Sequence, residues 1–192
     1  MRQFFVSALD VLEVAFVALG LVFIIRTFLV QPFLVQGASM SPNFSDGDYL
    51  LVDELSYYLR EPKRGEVIVF KFNQGTGEQV SNVYYIKRVI GLPGEKVEIR
   101  DGKIFVYGEG SSDALVLAED YLPRGRETLV RPGGQTKFTM GEGEYLALGD
   151  NRSYSYDSRD WGVVHRDWIV GAARFRLWPP RDLQVFAAPS YQ

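Results

Sequence analysis

The sequence predicts a mainly β fold, an antiparallel β-sheet or barrel-like domain behind one N-terminal transmembrane helix. Three observations carry that expectation. There is one long apolar segment, near the N-terminus. After it come about seven short strand-like runs punctuated by turn residues. No amphipathic helices alternate with those runs, so a parallel α/β arrangement is excluded. The expected boundaries are 1–30 for the membrane anchor and 31–192 for the β-rich domain, with a polar insert at 108–135.

Phe4 to Val30 is the apolar segment, interrupted by Asp10 and Glu13. Its unbroken part, Val14 to Ile25, spans only ~18 Å as a helix, against ~30 Å of hydrocarbon. Adding Thr27 to Val30 and letting Arg26 snorkel makes a crossing feasible. No Ala-x-Ala-like site follows; the chain continues Gln31-Pro32-Phe33-Leu34-Val35, which favours an anchor over a cleaved signal peptide. The charges flanking it, Arg2 and Arg26, barely set its orientation.

Strands are expected at Tyr49–Val52, after the turn Asp46-Gly47-Asp48, and at Glu66–Phe72, rich in Val and Ile. Between them Asp53–Arg60 is a short helix or an irregular crossing, and Asn73–Gln79 is a loop by composition. Val83–Ile90 is a further strand, closed by Gly91-Leu92-Pro93-Gly94. Glu95–Arg100 and Lys103–Tyr107 flank Asp101-Gly102, a two-residue hairpin turn whose central positions both need positive φ. Gly108–Gln135 is long for a structureless loop, so it holds some local structure or folds over the sheet. Thr136–Met140 and Glu144–Leu148 read as a second hairpin around Gly141-Glu142-Gly143, and Ile169–Leu177 as the last strand.

The composition narrows the chemistry. The net charge is −3 and basic residues do not cluster, which argues against nucleic acid as a partner. There is no cysteine and one histidine, His165, so neither thiolate chemistry nor a His/Cys zinc site is expected and no cofactor is implied. His165, between Val164 and Arg166, reads as a surface or structural residue rather than the base of a Ser-His-Asp triad.

Three stretches could do chemistry. In Gln36-Gly37-Ala38-Ser39-Met40-Ser41-Pro42-Asn43 small residues crowd a serine and Pro42 stiffens the backbone after it; this is either a presented nucleophile or an ordinary turn. Lys87 lies in an apolar strand, where alternation puts Tyr85, Lys87 and Val89 on one face and Ile86, Arg88 and Ile90 on the other. Desolvation there could lower the amine from ~10.4 far enough for a general base. The plainer reading is a lysine snorkelling from an edge strand. In Gly149–Gly162, Asp150 and Asp157 could pair with Arg152 and Arg159 and turn Ser155 inward; the alternative is a solvated loop with weak ion pairs.

Taken in order, these stretches resemble the bacterial type I signal (leader) peptidases. The resemblance rests on Ser39-Met40-Ser41-Pro42, Lys63 to Phe70, Tyr85-Ile86-Lys87-Arg88-Val89-Ile90-Gly91-Leu92-Pro93-Gly94-Glu95, and Gly149-Asp150-Asn151-Arg152 onward to Ser155, Asp157-Ser158-Arg159 and Gly162. It implies a membrane-bound serine endopeptidase that removes signal peptides from exported preproteins after Ala-x-Ala-type sites, through an acyl-enzyme. It implies Ser39 as nucleophile, Lys87 as general base, Ser155 as orienter of the amine, and Asp157 with Arg159 as braces, with Asp150 and Arg152 in the same network. The oxyanion would rely on the Ser39 backbone N–H, because Gly37 stands where some relatives carry a serine. By matching position Phe33, Val35, Tyr85 and Ile86 wall the small-residue pockets. The implied partners are exported preproteins and the lipid bilayer, with the enzyme single-pass in the cell membrane, N-terminus cytoplasmic and catalytic domain outside. Two other readings of the chain are a membrane-tethered β-domain that binds peptides without cutting them, and a specialised Ser-Lys processing peptidase of the same fold.

Overall fold

The structure, a computed structural model, describes residues 10–20, 30–74, 81–189 and 191. The anchor expected over 1–30 therefore lies largely outside the described residues. Residues 10–20 are helical, and their apolar side chains, Phe16 and Leu19 among them, are exposed. Among the described residues no helix is long and apolar enough to cross a membrane.

The rest is β structure with short helices, and every strand pairing is antiparallel. The large sheet contains β1 (Val30–Leu34), β2 (Tyr49–Asp53), β3 (Val67–Gln74), β4 (Ser81–Gly91), β9 (Glu144–Leu148), β10 (Val164–His165), β11 (Ile169–Trp178) and β12 (Gln184–Val185). Its pairing order is β1-β2-β11-β3-β4-β9-β10, with β12 paired to β11 off this path. The small sheet runs β7 (Ala114–Val116), β6 (Lys103–Tyr107), β5 (Lys96–Arg100), β8 (Lys137–Thr139). Both are open paths among the described residues, so the barrel-like closure expected from the sequence is replaced by two sheets. Helices α1 (Ser56–Leu59) and α2 (Ser158–Trp161) are single turns.

Most local expectations survive contact with the structure. The Asp101-Gly102 turn has φ of 50° and 71°, the left-handed pair a two-residue hairpin requires. Strands β5 and β6 bury alternate residues, as a sheet with one wet face must. One hairpin is corrected: β8 pairs with β5 and β9 with β4, so the two strands around Gly141-Glu142-Gly143 belong to different sheets. The loop expected at Asn73–Gln79 is corrected at its start, where Asn73 and Gln74 belong to β3; residues 75–80 lie outside the described residues. The insert carries β7, and Leu117, Leu122 and Thr128 are buried, so it lies folded against the domain.

Strand β4 is the hub. Ile86, Val89 and Ile90 enter three separate hydrophobic clusters, and the strand is bonded to β3 on one side and β9 on the other. The β9 pairing reaches only Arg88 to Gly91. Among the described residues no strand therefore pairs with the earlier half of β4 on the edge away from β3, or with the outer edge of β1, and Phe33 of β1 meets Tyr84 of β4 edge to face at 5.2 Å. A trough lies between them.

The width of that trough depends on the strands β2, β11 and β3 that separate β1 from β4. Gly171 in β11 makes the close approach: a Cβ there would fall 2.6 Å from the Asp53 carbonyl oxygen and 2.7 Å from Val52 Cγ1 of β2. Backbone cannot yield as a flexible side chain does. Gly171→Ala is expected to lower stability by about 1–3 kcal/mol, read as a shift in denaturant midpoint at constant slope.

Candidate active site

Ser39 follows β1 on a turn held from two directions. Within the turn, the Ser41 amide donates to Ala38 O at 3.2 Å and the Phe44 amide to Met40 O at 3.0 Å. Met40 and Phe44 are fully buried and pin the turn to the core beside Leu50 and Val67. The other anchor is the 149–152 stretch. The Asn151 amide donates to Ser39 O at 2.9 Å, its side-chain amide to Ala38 O at 3.0 Å, and Asn43 Nδ2 to Asp150 Oδ2 at 2.8 Å. Gly149 permits this closeness: a Cβ would sit 2.1 Å from Ser155 Oγ and 2.5 Å from Ser39 O.

Lys87 Nζ lies 2.9 Å from Ser39 Oγ and 2.9 Å from Ile86 O, and the residue is 2% exposed. It stands 5.2 Å from the centre of the Tyr85 ring, as expected if residues 85 and 87 share a face. Burial pulls its pKa from 10.5 down to about 8, against the opposing pull of the Asp157 and Asp150 carboxylates. This is the desolvated lysine, not the snorkelling one.

The predicted bracing is half right. Asp157 and Arg159 do pair, at 2.7 Å and 2.8 Å. Burial works against the Asp157 carboxylate, but Arg159 and the Gly149 amide outweigh it and hold the pKa below the usual range. Asp157 also caps α2 in a reciprocal box with Asp160. Asp150 and Arg152, however, do not pair with each other. Asp150 takes Arg88, at 2.8 Å and 2.6 Å, and Arg152 takes Glu119 of the insert, at 2.8 Å and 2.5 Å. The sequence carried a signal for the first of these: an arginine inside an apolar strand needs a buried carboxylate. Glu119 lies in a stretch with no periodicity to point inward.

Ser155 is turned inward and fully buried. Its hydroxyl stands near the Asp157 carboxylate and favours its ionised form, but no partner among the described residues meets hydrogen-bond geometry. A hydrogen bond from Ser155 to Lys87, expected from the resemblance, is not formed here. His165 sits apart, stacked edge to face on Trp168 at 4.7 Å.

The trough between β1 and β4 reaches Ser39 and Lys87, which help to line it, and has a volume of about 590 Å³. Phe33, Val35, Tyr85 and Ile86 all line it. So do Leu50, Val69, Tyr154 and Tyr156, which sequence reasoning did not single out as wall residues. Leu50 and Val69 come from strands distant in sequence and have no local signature as groove residues.

A hydroxyl, an amine that can lose its proton near neutrality, and a trough shaped for an extended chain are the working parts of a serine endopeptidase. Comparison with known proteins narrows that class. The sequence profile of the family described as signal peptidase, peptidase S26, matches residues 8–178. Signal peptidase IB of Staphylococcus aureus is 35% identical over 170 residues, covering 85% of each chain. A Synechocystis sp. protein named "Probable signal peptidase I-2" is 36% identical over 155 residues, covering 81% of this chain and 66% of that one. A crystal structure of a signal peptidase I from Enterococcus faecalis V583 is 29% identical and covers 59% of this chain and 97% of that one, at a TM-score of 0.44. The chain belongs to the signal peptidase family, peptidase S26, as a serine endopeptidase of the signal peptidase I type.

Burying the amine has a thermodynamic sign. Below about pH 8 Lys87 is charged in both folded and unfolded chains, and the folded chain bears the full desolvation cost. Between about 8 and 10.5 the unfolded chain binds more protons, so stability rises with pH until the cost is gone. Lys87→Met is therefore expected to raise stability at pH 7 by about 1–3 kcal/mol. Denaturation across the pH range should show that gain fading as the pH approaches 10.5.

Proposed function

We propose that Ser39 is the nucleophile and Lys87 its general base in the removal of signal peptides from exported preproteins. The observation that carries this is the 2.9 Å contact between Ser39 Oγ and an amine only 2% exposed. The same distance serves both protonation states. An ammonium donates to Oγ; a neutral amine accepts the Ser39 O–H and readies it for attack.

The substrate enters as a strand between the open edges of β1 and β4, where main-chain pairing supplies affinity and side-chain pockets supply selectivity. Small residues at the first and third positions before the cut face Phe33, Val35, Tyr85 and Ile86. Ser39 Oγ attacks the scissile carbonyl as its proton passes to Lys87 Nζ. The Ser39 backbone N–H faces the developing oxyanion, and no hydrogen bond from that amide occurs among the described residues. Lys87 then hands its proton to the departing amine, leaving an acyl-enzyme. Water, relieved of a proton by the now neutral Lys87, cleaves the ester; Ser39 Oγ recovers that proton as the new carboxylic acid leaves and ionises into solvent. The Asp157–Arg159 pair braces the loop beside Lys87, and Ser155, which makes no hydrogen bond to the amine here, would orient it only once its hydroxyl turns to Nζ. Gly37 adds no hydroxyl to the oxyanion site. Its φ of 87° is one that L side chains rarely adopt, although the space beside it is open.

The membrane reading draws on the apolar helix at 10–20 and on a surface patch. Leu34 and Trp178 both register with Tyr49 on adjacent strands, and all three are about half exposed, with Leu177 beside them. A single N-terminal anchor, with its N-terminus cytoplasmic and the β domain outside, would set this patch against the lipid headgroups.

Ser39→Ala and Lys87→Ala are each expected to abolish cleavage of a preprotein at its Ala-x-Ala site by the full chain in detergent. Cleavage persisting in either variant refutes the assignment. The sign of the pH dependence follows from the base having to be neutral. In wild-type protein kcat/KM should climb about tenfold per pH unit below a midpoint of about 8 and level off above it, with chelators without effect. A flat profile counts against a lysine base.

A further inference from the structure

Tyr154 and Tyr156 flank the inward-turned Ser155 on the 151–157 turn, and both line the trough. Tyr154 is 80% exposed and Tyr156 48%, a large apolar surface beside a reaction centre that neither residue stabilises by packing. Their backbone is nonetheless rigidly placed. The amides of Tyr154 and Ser155 both donate to Asn151 O, at 3.0 Å and 2.9 Å, and Asn151 in turn holds the carbonyls of Ala38 and Ser39. Arg131 adds a hydrogen bond to the Ser155 carbonyl. Exposed rings on a fixed loop are what a recognition surface needs, since little ordering remains to be done on binding.

Their place relative to the cut follows from the groove. The pocket walls Phe33, Val35, Tyr85 and Ile86 lie on the β1 and β4 side of Ser39, which the residues before the cut occupy. Tyr154 and Tyr156 come from the 149–157 stretch, which is bonded through Asn151 to the Ala38 and Ser39 carbonyls and so meets the groove at the Ser39 turn rather than along β1 and β4. We infer that Tyr154 and Tyr156 form a subsite for the first residues after the cut, the new N-terminus of the mature protein, and favour an apolar or aromatic side chain there. This rests on the Ser39–Lys87 reading given above. Aromatic and apolar side chains seated on such rings gain a modest increment beyond simple burial. The leaving segment is bound only until the acyl-enzyme forms, so the subsite acts on acylation and not on ester hydrolysis.

The test uses the full chain in detergent and two substrate types with one signal side. One type carries Gly, Leu or Phe at the first two positions after the cut; the other ends in a methyl ester with no residue beyond it. Wild-type protein is expected to favour Leu or Phe over Gly by roughly three- to tenfold in kcat/KM. In Tyr154→Ala and Tyr156→Ala the ratio of Phe-peptide to ester turnover should fall by the same factor, and Tyr154→Phe should restore it. No preference in wild-type protein overturns the inference. So does an equal loss on peptide and ester, which would make the rings supports of the loop. A loss confined to preprotein in anionic lipid vesicles, absent with soluble peptides, also overturns it and assigns the rings to the bilayer. Failure of the underlying reading is separate, since it shows as cleavage by Ser39→Ala.

Discussion

On the proposed reading Lys87 must be neutral near physiological pH, so it has to be kept dry, and keeping it dry is costly to the fold. Lys87 is 2% exposed, on a strand that enters all three hydrophobic clusters. Two carboxylates, Asp150 and Asp157, lie close enough to draw its pKa back up. Each is occupied by an arginine of its own, Arg88 for the first and Arg159 for the second, and both pairs are buried. A carboxylate already satisfied by a guanidinium acts on a third charge more weakly than a bare one. The ion pairs around the site can therefore be understood as screening as well as scaffolding: they let acidic side chains hold the loops together without re-protonating the amine.

The same pairs explain why a polar insert is part of the site. Arg152 reaches Glu119 and Thr128, Arg159 reaches Leu129 O, and Asn43 donates to Tyr121 O. Residues 119–129 thus close one side of the loop that buries Ser155 and presents the rings of Tyr154 and Tyr156 to the groove. Removing one partner of a buried pair leaves an uncompensated charge, which makes these contacts far less replaceable than surface ion pairs.

Sequence reasoning reached the parts of this arrangement that are local. The Asp101-Gly102 turn announces itself through the φ it needs, and Lys87 stands out because an ammonium is out of place among Val, Ile and Tyr. It failed where a choice of partner is made at long range. Strands β8 and β9 are correctly placed along the chain, yet the glycines between them do not say whether they fold back on one another or part for different sheets. Arg152 and Asp150 are neighbours in sequence, and a local rule pairs them; in three dimensions each has a better partner, Glu119 and Arg88, brought there by the sheets. The floor of the groove is illegible for the same reason, since Leu50 and Val69 acquire meaning only when β2 and β3 are joined through β11 beneath it.

One contact carries a consequence for timing. The turn that presents Ser39 is fastened by Asn151, whose side chain bonds to Ala38 O across 113 positions of sequence. Until that later stretch exists, the Ser39 carbonyl lacks its partner, Ala38 O has only the Ser41 amide and the Asn43 side chain only Tyr121 O, so the turn is not yet fastened beside Lys87. At about 5–20 residues per second of synthesis, several seconds separate the emergence of the serine from that of its fastener. A partly made chain is thus a harmless one. On the proposed Ser39 reading the hydroxyl is present early, and its reactivity waits for the stretch around Asn151, so that synthesis of that stretch works as the switch that arms it.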